Sequence, residues 1–156
     1  MRDGPLRVLF AEDNSAHATL VLRSLEEHGL KVEIIHVRDG EEALGYLLRR
    51  GRYADSDVSP RPDLVLLDLR MPKIDGLEVL RQIKTDDDLH RLPVVILTTS
   101  EAESDVARAY DLRANSYLVK PIDFVKFSKL MHDLGLYWSQ WNRSPQLRLE
   151  GSAGSS

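Results

Sequence analysis

Four short apolar runs in this chain each end at polar side chains that could bind a metal ion and a phosphoryl group. The runs end at Glu12 and Asp13, at Asp68, at Thr98 and at Lys120. Parallel strands place their carboxyl ends along one edge of a sheet, which is where open α/β folds bind ligands. If the runs are parallel strands, these five residues are therefore neighbours in space.

Three carboxylates at one edge would repel one another unless a cation neutralised them. Two like charges about 4 Å apart cost roughly 4 kcal/mol at an effective dielectric constant near 20. Because Glu12, Asp13 and Asp68 offer only oxygen ligands, the expected ion is Mg²⁺, for which Mn²⁺ could substitute. An ionised Asp68 could then attack phosphorus and form an acyl phosphate. Lys120 and the Thr98 hydroxyl are suited to binding the phosphoryl oxygens.

Strand and helix patterns alternate around these residues. Continuous apolar runs, rich in β-branched residues, predict strands at 6–10, 32–37, 64–67, 94–97 and 116–119. Amphipathic spacing predicts helices from the Asn14 cap to Gly29, at 41–49, 76–84 and 104–112, and from 123 onward. Buried strands separated by such helices favour a parallel sheet covered on both faces.

Composition limits the class of protein. The chain has 156 residues, of which 42% are hydrophobic, and this length supports one core rather than two domains. A net charge of -4 gives no basic surface for nucleic acid or an anionic membrane. The chain has no Cys and no apolar stretch near the roughly 20 residues that span a bilayer. We therefore expect a soluble, cytoplasmic chain with a protein partner.

The ordered set of motifs resembles the receiver domain of two-component response regulators over about residues 7–136. In chain order, the matching segments are Glu12-Asp13-Asn14, Asp68-Leu69-Arg70-Met71-Pro72, Asp75-Gly76, Thr98-Thr99-Ser100 and Lys120-Pro121. Each motif is weak alone, but the ordered set is specific. The resemblance implies a flavodoxin-like (βα)5 fold with strand order 2-1-3-4-5.

The resemblance also implies how the site works. Asp68 would accept a phosphoryl group from a histidine kinase. Asp13, Asp68 and the backbone carbonyl of Arg70 would be Mg²⁺ ligands, with Glu12 acting partly through water. Lys120 would neutralise charge on the transferring group.

Other residues would control the switch, again by resemblance. Thr98 and Tyr117 would form a coupled pair that changes the surface of helix four, strand five and helix five. Arg70 and Ser100 occupy positions that influence the access of water to the acyl phosphate. A cis peptide bond would precede Pro121.

The histidines of the chain show no metal-ligand spacing, so we expect them to be structural. They are at positions 17, 28, 36, 90 and 132. By family analogy, kinase docking would use the start of the first helix, near Asn14 and His17, and the loop after Pro121.

The predicted final helix carries an apolar stripe with 3-4-3-4-3 spacing. Its members are Phe124, Phe127, Met131, Leu134, Trp138 and Trp141. The first half of the stripe could pack on the sheet, with Gly135 ending the helix. The second half would then expose apolar surface unless another copy covered it. We therefore expect a homodimer through this stripe together with helix four and strand five.

The extended final helix and the long polar connection at 50–62 resemble small single-domain regulators that serve phytochrome-type sensor kinases. The connection enters the third strand at its amino end, so we expect it at the sheet edge opposite Asp68 and outside the chemistry. The receiver domain is expected to span 1–143, followed by a short polar tail at 144–156. The output would then be a changed surface or a change in dimerisation.

Other functions fit parts of the pattern. A chemotaxis-type or other stand-alone receiver would use a different kinase. A haloacid-dehalogenase-type phosphatase uses an aspartyl nucleophile and Mg²⁺, but it needs an acid two residues later, where this chain has Arg70. A flavin carrier needs a phosphate loop where this chain has Glu12 and Asp13. A receiver-like module that never takes phosphate would not need the complete site.

Overall fold

Five parallel strands form the centre of the molecule. The computed structural model describes residues 5–27, 32–121 and 123–137. The strands are β1 (Leu6–Ala11), β2 (Val32–Val37), β3 (Leu64–Leu67), β4 (Val94–Thr98) and β5 (Ser116–Val119). They pair in the order β2-β1-β3-β4-β5, and every pair is parallel. The predicted doubly wound sheet and its strand order are confirmed.

Five helices connect and cover these strands. They are α1 (Ser15–Glu27), α2 (Gly40–Leu47), α3 (Gly76–Thr85), α4 (Glu103–Asp111) and α5 (Phe124–Leu136). Side-chain oxygens of Asn14, Asp39, Asp75 and Asp123 accept backbone N–H groups at four of the helix starts. These caps satisfy donors that a first turn leaves without partners. Within the described ranges, no helix is both long and apolar enough to cross a bilayer.

Helices cover both faces of the sheet, and successive strand residues point alternately to the two faces. One face packs under α2, α3 and α4 and includes Leu9, Val65 and Ile96. The other face packs under α1 and α5 and includes Phe10 and Leu66. All five side chains are at most 2% exposed. The strand ends, and the residues that follow them, are therefore held at fixed positions.

The second helix ends earlier than the apolar pattern predicts. The pattern extends through Arg49, but α2 ends at Leu47 and Arg49 has a φ of 55°. A positive φ lies outside the right-handed helical region. The chain therefore leaves the helix at this point.

The polar connection at 50–62 does not stay at the amino edge of the sheet, where the sequence pattern places it. It first runs back along α2, so that the Tyr53 hydroxyl donates to Glu42 in the first turn of that helix at 2.9 Å. It then returns, and the Pro60 carbonyl accepts from the Tyr46 hydroxyl at 2.7 Å. An open cleft of about 790 Å³ lies beside α2 in this region. The connection therefore packs on α2, and within the described residues it forms no hydrogen bond to the three carboxylates of the predicted metal site.

The final helix uses part of its predicted interface stripe inside the domain. Phe127 and Met131 are 2% and 0% exposed and pack against the sheet, so their assignment to a dimer interface is wrong. Leu134 is partly buried against the same layer. The physical reason is that this face of the sheet is apolar, and covering it within the chain removes it from water.

The remaining members of the stripe stay predictions. Trp138 and Trp141 lie outside the described residues, and so does the side chain of Phe124. The helix passes Gly135 and continues to Leu136, so this glycine does not end it.

The peptide bond before Pro121 also differs from the expectation. No cis peptide bond occurs in residues 5–27, 32–121 and 123–137. Because the trans form of an X–Pro bond is favoured by only about 0.5–1 kcal/mol, either isomer is accessible in a fold. This structure has a trans bond before Pro121, so the expectation of a cis bond is wrong.

Candidate functional site

The carboxyl ends of four strands bring the predicted site residues together. Ala11 pairs with Leu67 between β1 and β3, and Thr98 pairs with Val119 between β4 and β5. Because these pairs lie at the same edge, the residues that follow them meet beyond the sheet. The residues that the sequence predicts there are Glu12, Asp13, Asp68, Thr98 and Lys120.

Three carboxylates form an acidic cluster at this edge. Glu12, Asp13 and Asp68 each offer one oxygen, and these oxygens all lie within 4.8 Å of one another. Glu12 and Asp68 are 1% and 6% exposed, whereas Asp13 is open to solvent. An oxygen-only set with a solvent-facing member suits a hard divalent cation that keeps some of its water ligands. The residues present therefore fit Mg²⁺ or Mn²⁺.

The backbone of Asp68 is held between its neighbours. Its N–H donates to the Ala11 carbonyl at 3.1 Å. On the other side, a Cβ added to Gly76 would lie 2.7 Å from the Leu69 Cα and would clash with the Asp68 carbonyl. Glycine therefore lets α3 begin directly against the loop that carries Asp68.

Lys120 lies among the carboxylates. Its Nζ contacts Glu12 Oε1, and it lies 3.0 Å from Asp68 Oδ2. A third contact, also 3.0 Å, joins Nζ to His17 Nδ1. Since an ammonium group can only donate, the His17 nitrogen accepts this bond. One ammonium group thus contacts two buried carboxylates, and its single charge leaves negative charge that a divalent cation could neutralise.

The two buried carboxyl groups differ in their readiness to ionise. Burial, with a smaller contribution from the Asp68 charge, raises the pKa of Glu12 to about 7 although Lys120 opposes the rise. Burial also opposes ionisation of Asp68, but Lys120 and hydrogen bonds from the Arg70 N–H and the Thr98 hydroxyl outweigh it. The pKa of Asp68 therefore lies below its ordinary value. At neutral pH Asp68 is an anion and a possible nucleophile, while Glu12 is close to its titration point.

The predicted switch residues meet at the loop after β4. The Ser100 N–H donates to Thr98 Oγ1 at 3.4 Å, and the Tyr117 hydroxyl donates to the Ser100 carbonyl at 3.0 Å. Thr98 is fully buried, whereas Tyr117 is half-buried. Thr98 and Tyr117 are thus connected through one residue of the loop, Ser100.

Two residues in this region carry contacts that the sequence pattern does not predict. His17 lies in the first turn of α1, which begins two residues after Asp13, and this closeness in sequence is a signal that could have placed it beside the site. Asp105 lies in the first turn of α4 and accepts from Arg70 at 2.6 Å. Its separation of 35 residues from Arg70 leaves no local pattern that could have found this contact.

Known proteins are similar to this chain over most of its length. The family described as "Response regulator receiver domain" matches residues 8–132. The probable methanogenesis regulatory protein FilR2 of Methanothrix harundinacea is 45% identical over 143 residues, covering 92% of this chain and 90% of that protein. Response regulator Rcp1 of Synechocystis is 42% identical over 134 residues, covering 86% of this chain and 89% of that protein.

Solved structures of response regulators are also similar to this chain. The phosphorylated cyanobacterial phytochrome response regulator RcpA matches with a TM-score of 0.85 and 38% identity, covering 91% of this chain and 99% of that chain. The Mn²⁺-bound form of response regulator Rcp1 matches with a TM-score of 0.84 and 40% identity, covering 91% and 100%. With its strand order, its edge of acidic residues and these relatives, the chain belongs to the response regulator receiver domain family.

Proposed function

We propose that this chain is the phosphoacceptor of a two-component system and that Asp68 receives a phosphoryl group from a sensor histidine kinase. One observation carries the proposal. The Asp68 carboxylate is only 6% exposed, yet its pKa is lowered by Lys120, and two further carboxylates lie beside it. A structural aspartate would not need this surplus of negative charge, whereas metal-assisted phosphoryl transfer does.

In the proposed reaction, an Asp68 oxygen attacks phosphorus while the bond from phosphorus to the kinase nitrogen breaks. The leaving nitrogen takes the electron pair, and the product is an acyl phosphate. Glu12, Asp13, Asp68 and the Arg70 carbonyl would hold Mg²⁺ or Mn²⁺, which supplies positive charge at the transferring group. The chemistry of the chain is then limited to gaining and losing its own phosphoryl group.

Lys120 and Thr98 would bind the new phosphoryl oxygens. The Lys120 amino group already lies 3.0 Å from Asp68, so it needs to exchange partners rather than travel. When the Thr98 hydroxyl turns to the phosphoryl group, the Ser100 N–H loses an acceptor. Tyr117, which donates to the Ser100 carbonyl, would change with the loop. Phosphorylation acts only as far as it favours one conformation, and a shift from 1:99 to 99:1 takes about 5.5 kcal/mol.

The direct test is incubation with acetyl phosphate and Mg²⁺, read by intact mass. We expect the wild type to gain one phosphate and Asp68→Asn to gain none. Asp87→Asn is the matched control, because it removes the same charge from an exposed loop and should label as the wild type does. Labelling of Asp68→Asn to the same extent as the wild type would contradict the proposal. Steady turnover of a phosphomonoester would instead favour the phosphatase alternative.

A phytochrome-type sensor kinase is the proposed partner, in a cytoplasmic phosphorelay. The support is that the relatives include a cyanobacterial phytochrome response regulator that matches over 91% of this chain. FilR2, which is also similar, is described as a methanogenesis regulator, so a different kinase is the alternative. The test is transfer from purified, autophosphorylated kinases. Faster labelling by a phytochrome-type kinase than by a chemotaxis-type kinase is the expected result.

We propose that the output surface is formed by α4, β5 and α5 and that it mediates homodimerisation. Three apolar side chains support this, since Tyr110, Val119 and Val125 are 50%, 38% and 73% exposed on these elements. Light scattering at micromolar concentration should give a dimer that Val125→Glu weakens. Val58→Glu is the control, because Val58 is 57% exposed but lies in the connection beside α2. A monomer with and without phosphate would remove this part of the proposal.

A further inference from the structure

A buried carboxylate outside the acidic cluster joins the two loops that flank Asp68. Asp105 is 7% exposed and lies in the first turn of α4. Its Oδ2 accepts from the Arg70 guanidinium and from the Ser100 hydroxyl, each at 2.6 Å. Arg70 belongs to the loop after β3 and Ser100 to the loop after β4. One oxygen therefore connects both loops to α4.

Both residues that Asp105 holds also touch the site through their backbones. The Arg70 N–H donates to Asp68 Oδ1 at 3.2 Å. The Ser100 N–H donates to Thr98 Oγ1 at 3.4 Å. Fixing the two side chains on Asp105 therefore restricts the two N–H groups that orient the acceptor carboxylate and the Thr98 hydroxyl.

The Arg70 side chain joins the loop that carries Asp68 to the first turn of α4. It starts two residues after Asp68 and ends on α4, so it spans the gap between the loops that follow β3 and β4. These strands are direct neighbours in the sheet. Asp68 lies at their carboxyl edge and is only 6% exposed, whereas the Arg70 side chain is 66% exposed. The Arg70 side chain is thus more open to solvent than the acceptor carboxylate two residues before it.

Burial makes Asp105 the member of this group that keeps the arrangement in place. A buried carboxylate that lost its donors would be left with an uncompensated charge. An exposed arginine can exchange any partner for water at little cost. Arg70 is therefore held against α4 because the buried Asp105 requires a cation there.

We infer that Asp105 is a positioning residue that holds the Arg70 side chain across the entrance to Asp68 and thereby slows hydrolysis of the aspartyl phosphate. This inference rests on the proposed function. In hydrolysis, the oxygen of a water molecule forms a bond to phosphorus while the bond from phosphorus to the Asp68 oxygen breaks. The electron pair returns to the Asp68 carboxylate, and inorganic phosphate leaves with one of the two water protons while the other passes to solvent. Arg70 obstructs the approach of that water.

The test measures the lifetime of the phosphorylated protein. Protein loaded with acetyl phosphate and Mg²⁺ is separated from the donor, and the remaining phosphoprotein is followed by intact mass. Asp105→Asn and Arg70→Ala should each speed the loss of phosphate roughly three- to tenfold, a range set by losing one hydrogen bond of ordinary strength. Glu103→Gln removes one charge from an exposed position in the same turn and should leave the rate within about twofold.

The double variant separates this inference from a general loosening of α4. If Asp105 acts through Arg70, combining Asp105→Asn with Arg70→Ala should give no more acceleration than Arg70→Ala alone. Rates that multiply, or wild-type lifetimes in the single variants, would overturn the inference. If Asp105→Asn fails to fold, the exposed Arg70→Ala decides, because a wild-type lifetime there overturns the inference and a shortened one that Arg70→Lys partly restores supports it.

The same measurements separate a failure of the proposed function from a failure of the inference about Asp105. If the wild type gains no phosphate, the proposed function and this inference fail together. If the wild type labels and the variants lose phosphate at its rate, only the inference fails.

Discussion

Two buried lysines at opposite edges of the sheet have partners of different kinds. Lys120 is 6% exposed at the carboxyl edge, and its amino group contacts the carboxylates of Glu12 and Asp68. Lys84 is 8% exposed in the last turn of α3, near the amino end of β4. Both cations are therefore shielded from water, and only their partners differ.

The partners of Lys84 are neutral oxygens. Its Nζ donates to the Leu92 carbonyl at 2.9 Å, to Asn115 Oδ1 at 3.3 Å and to the His90 carbonyl at 3.4 Å. Burial lowers the pKa of Lys84, and the Arg113 charge lowers it further. This lysine connects α3 to the turns before β4 and β5, and its role is structural.

The difference shows which buried charge can take part in a reaction. A cation between carboxylates can release them when another cation or a phosphoryl group arrives, because new charges replace the old ones. A cation held by backbone carbonyls has no such exchange, since moving it would leave those oxygens without donors. Lys120 and Lys84 should therefore respond to substitution in opposite ways.

The largest expected effect is that of Lys120→Met on phosphorylation. Losing the charge that binds the phosphoryl oxygens should slow labelling by acetyl phosphate about 100-fold or more, the usual cost of removing one transition-state donor. The initial rate of mass gain with excess Mg²⁺ measures this. A rate within a few fold of the wild type would contradict a role for Lys120 in phosphorylation and, with it, the contrast with Lys84.

Lys84→Met should affect stability instead of chemistry. The Leu92 and His90 carbonyls would lose the Lys84 donor, and Asn115 Oδ1 would keep only the Val94 N–H. The free energy of unfolding should therefore fall by about 1–3 kcal/mol in urea denaturation. Labelling by acetyl phosphate should stay within about twofold of the wild type at temperatures where the variant is folded. Loss of labelling with unchanged stability would contradict the structural role.

Glu12, one of the charged partners of Lys120, should make the stabilisation of the fold by Mg²⁺ depend on pH. The pKa of Glu12 rises from its ordinary value of 4.5 to about 7 on folding. The folded protein therefore holds this proton more tightly than the unfolded chain does. The stability that results is complete below about pH 4.5 and is lost as the pH rises through about 7. Mg²⁺ should restore it, because the ion binds the ionised carboxylate.

We therefore expect Mg²⁺ to raise the Tm more at pH 8 than at pH 6, by a difference on the order of 5 °C. Scanning calorimetry with ionic strength held constant measures it. Glu12→Gln should make the Mg²⁺ effect the same at both pH values, because the titrating group is gone. Equal effects in the wild type would argue against Glu12 as part of the cation site.

The smallest expected effect is that of His17→Ala. Burial, followed by the Lys120 charge, lowers the pKa of His17, so the ring is neutral at pH 7 and accepts from Lys120. Without the His17 ring, Lys120 still contacts the carboxylates of Glu12 and Asp68. Labelling by acetyl phosphate should therefore slow by less than about threefold. His90→Ala is the control near Lys84, since it retains the backbone carbonyl that Lys84 uses. A loss as large as that of Lys120→Met would make His17 an essential group.

The sequence alone was sufficient for the sheet and for the principal residues at its carboxyl edge. Apolar runs mark the strands, and each strand end is marked by the polar residue that follows. Parallel topology then places Glu12, Asp68, Thr98 and Lys120 at one edge, whatever the details of packing. This reasoning succeeds because strand and helix patterns are local, and the topology follows from their alternation.

Only the tertiary structure decided which surface each remaining side chain meets. An apolar stripe has the same spacing whether it packs on its own sheet or on a second copy, and the fold assigned Phe127 and Met131 to the sheet. Asp105 is 35 residues from Arg70, and Lys120 is 103 from His17. Such contacts depend on how whole elements pack against one another, and that packing is set by the summed burial of the core, which no local pattern records.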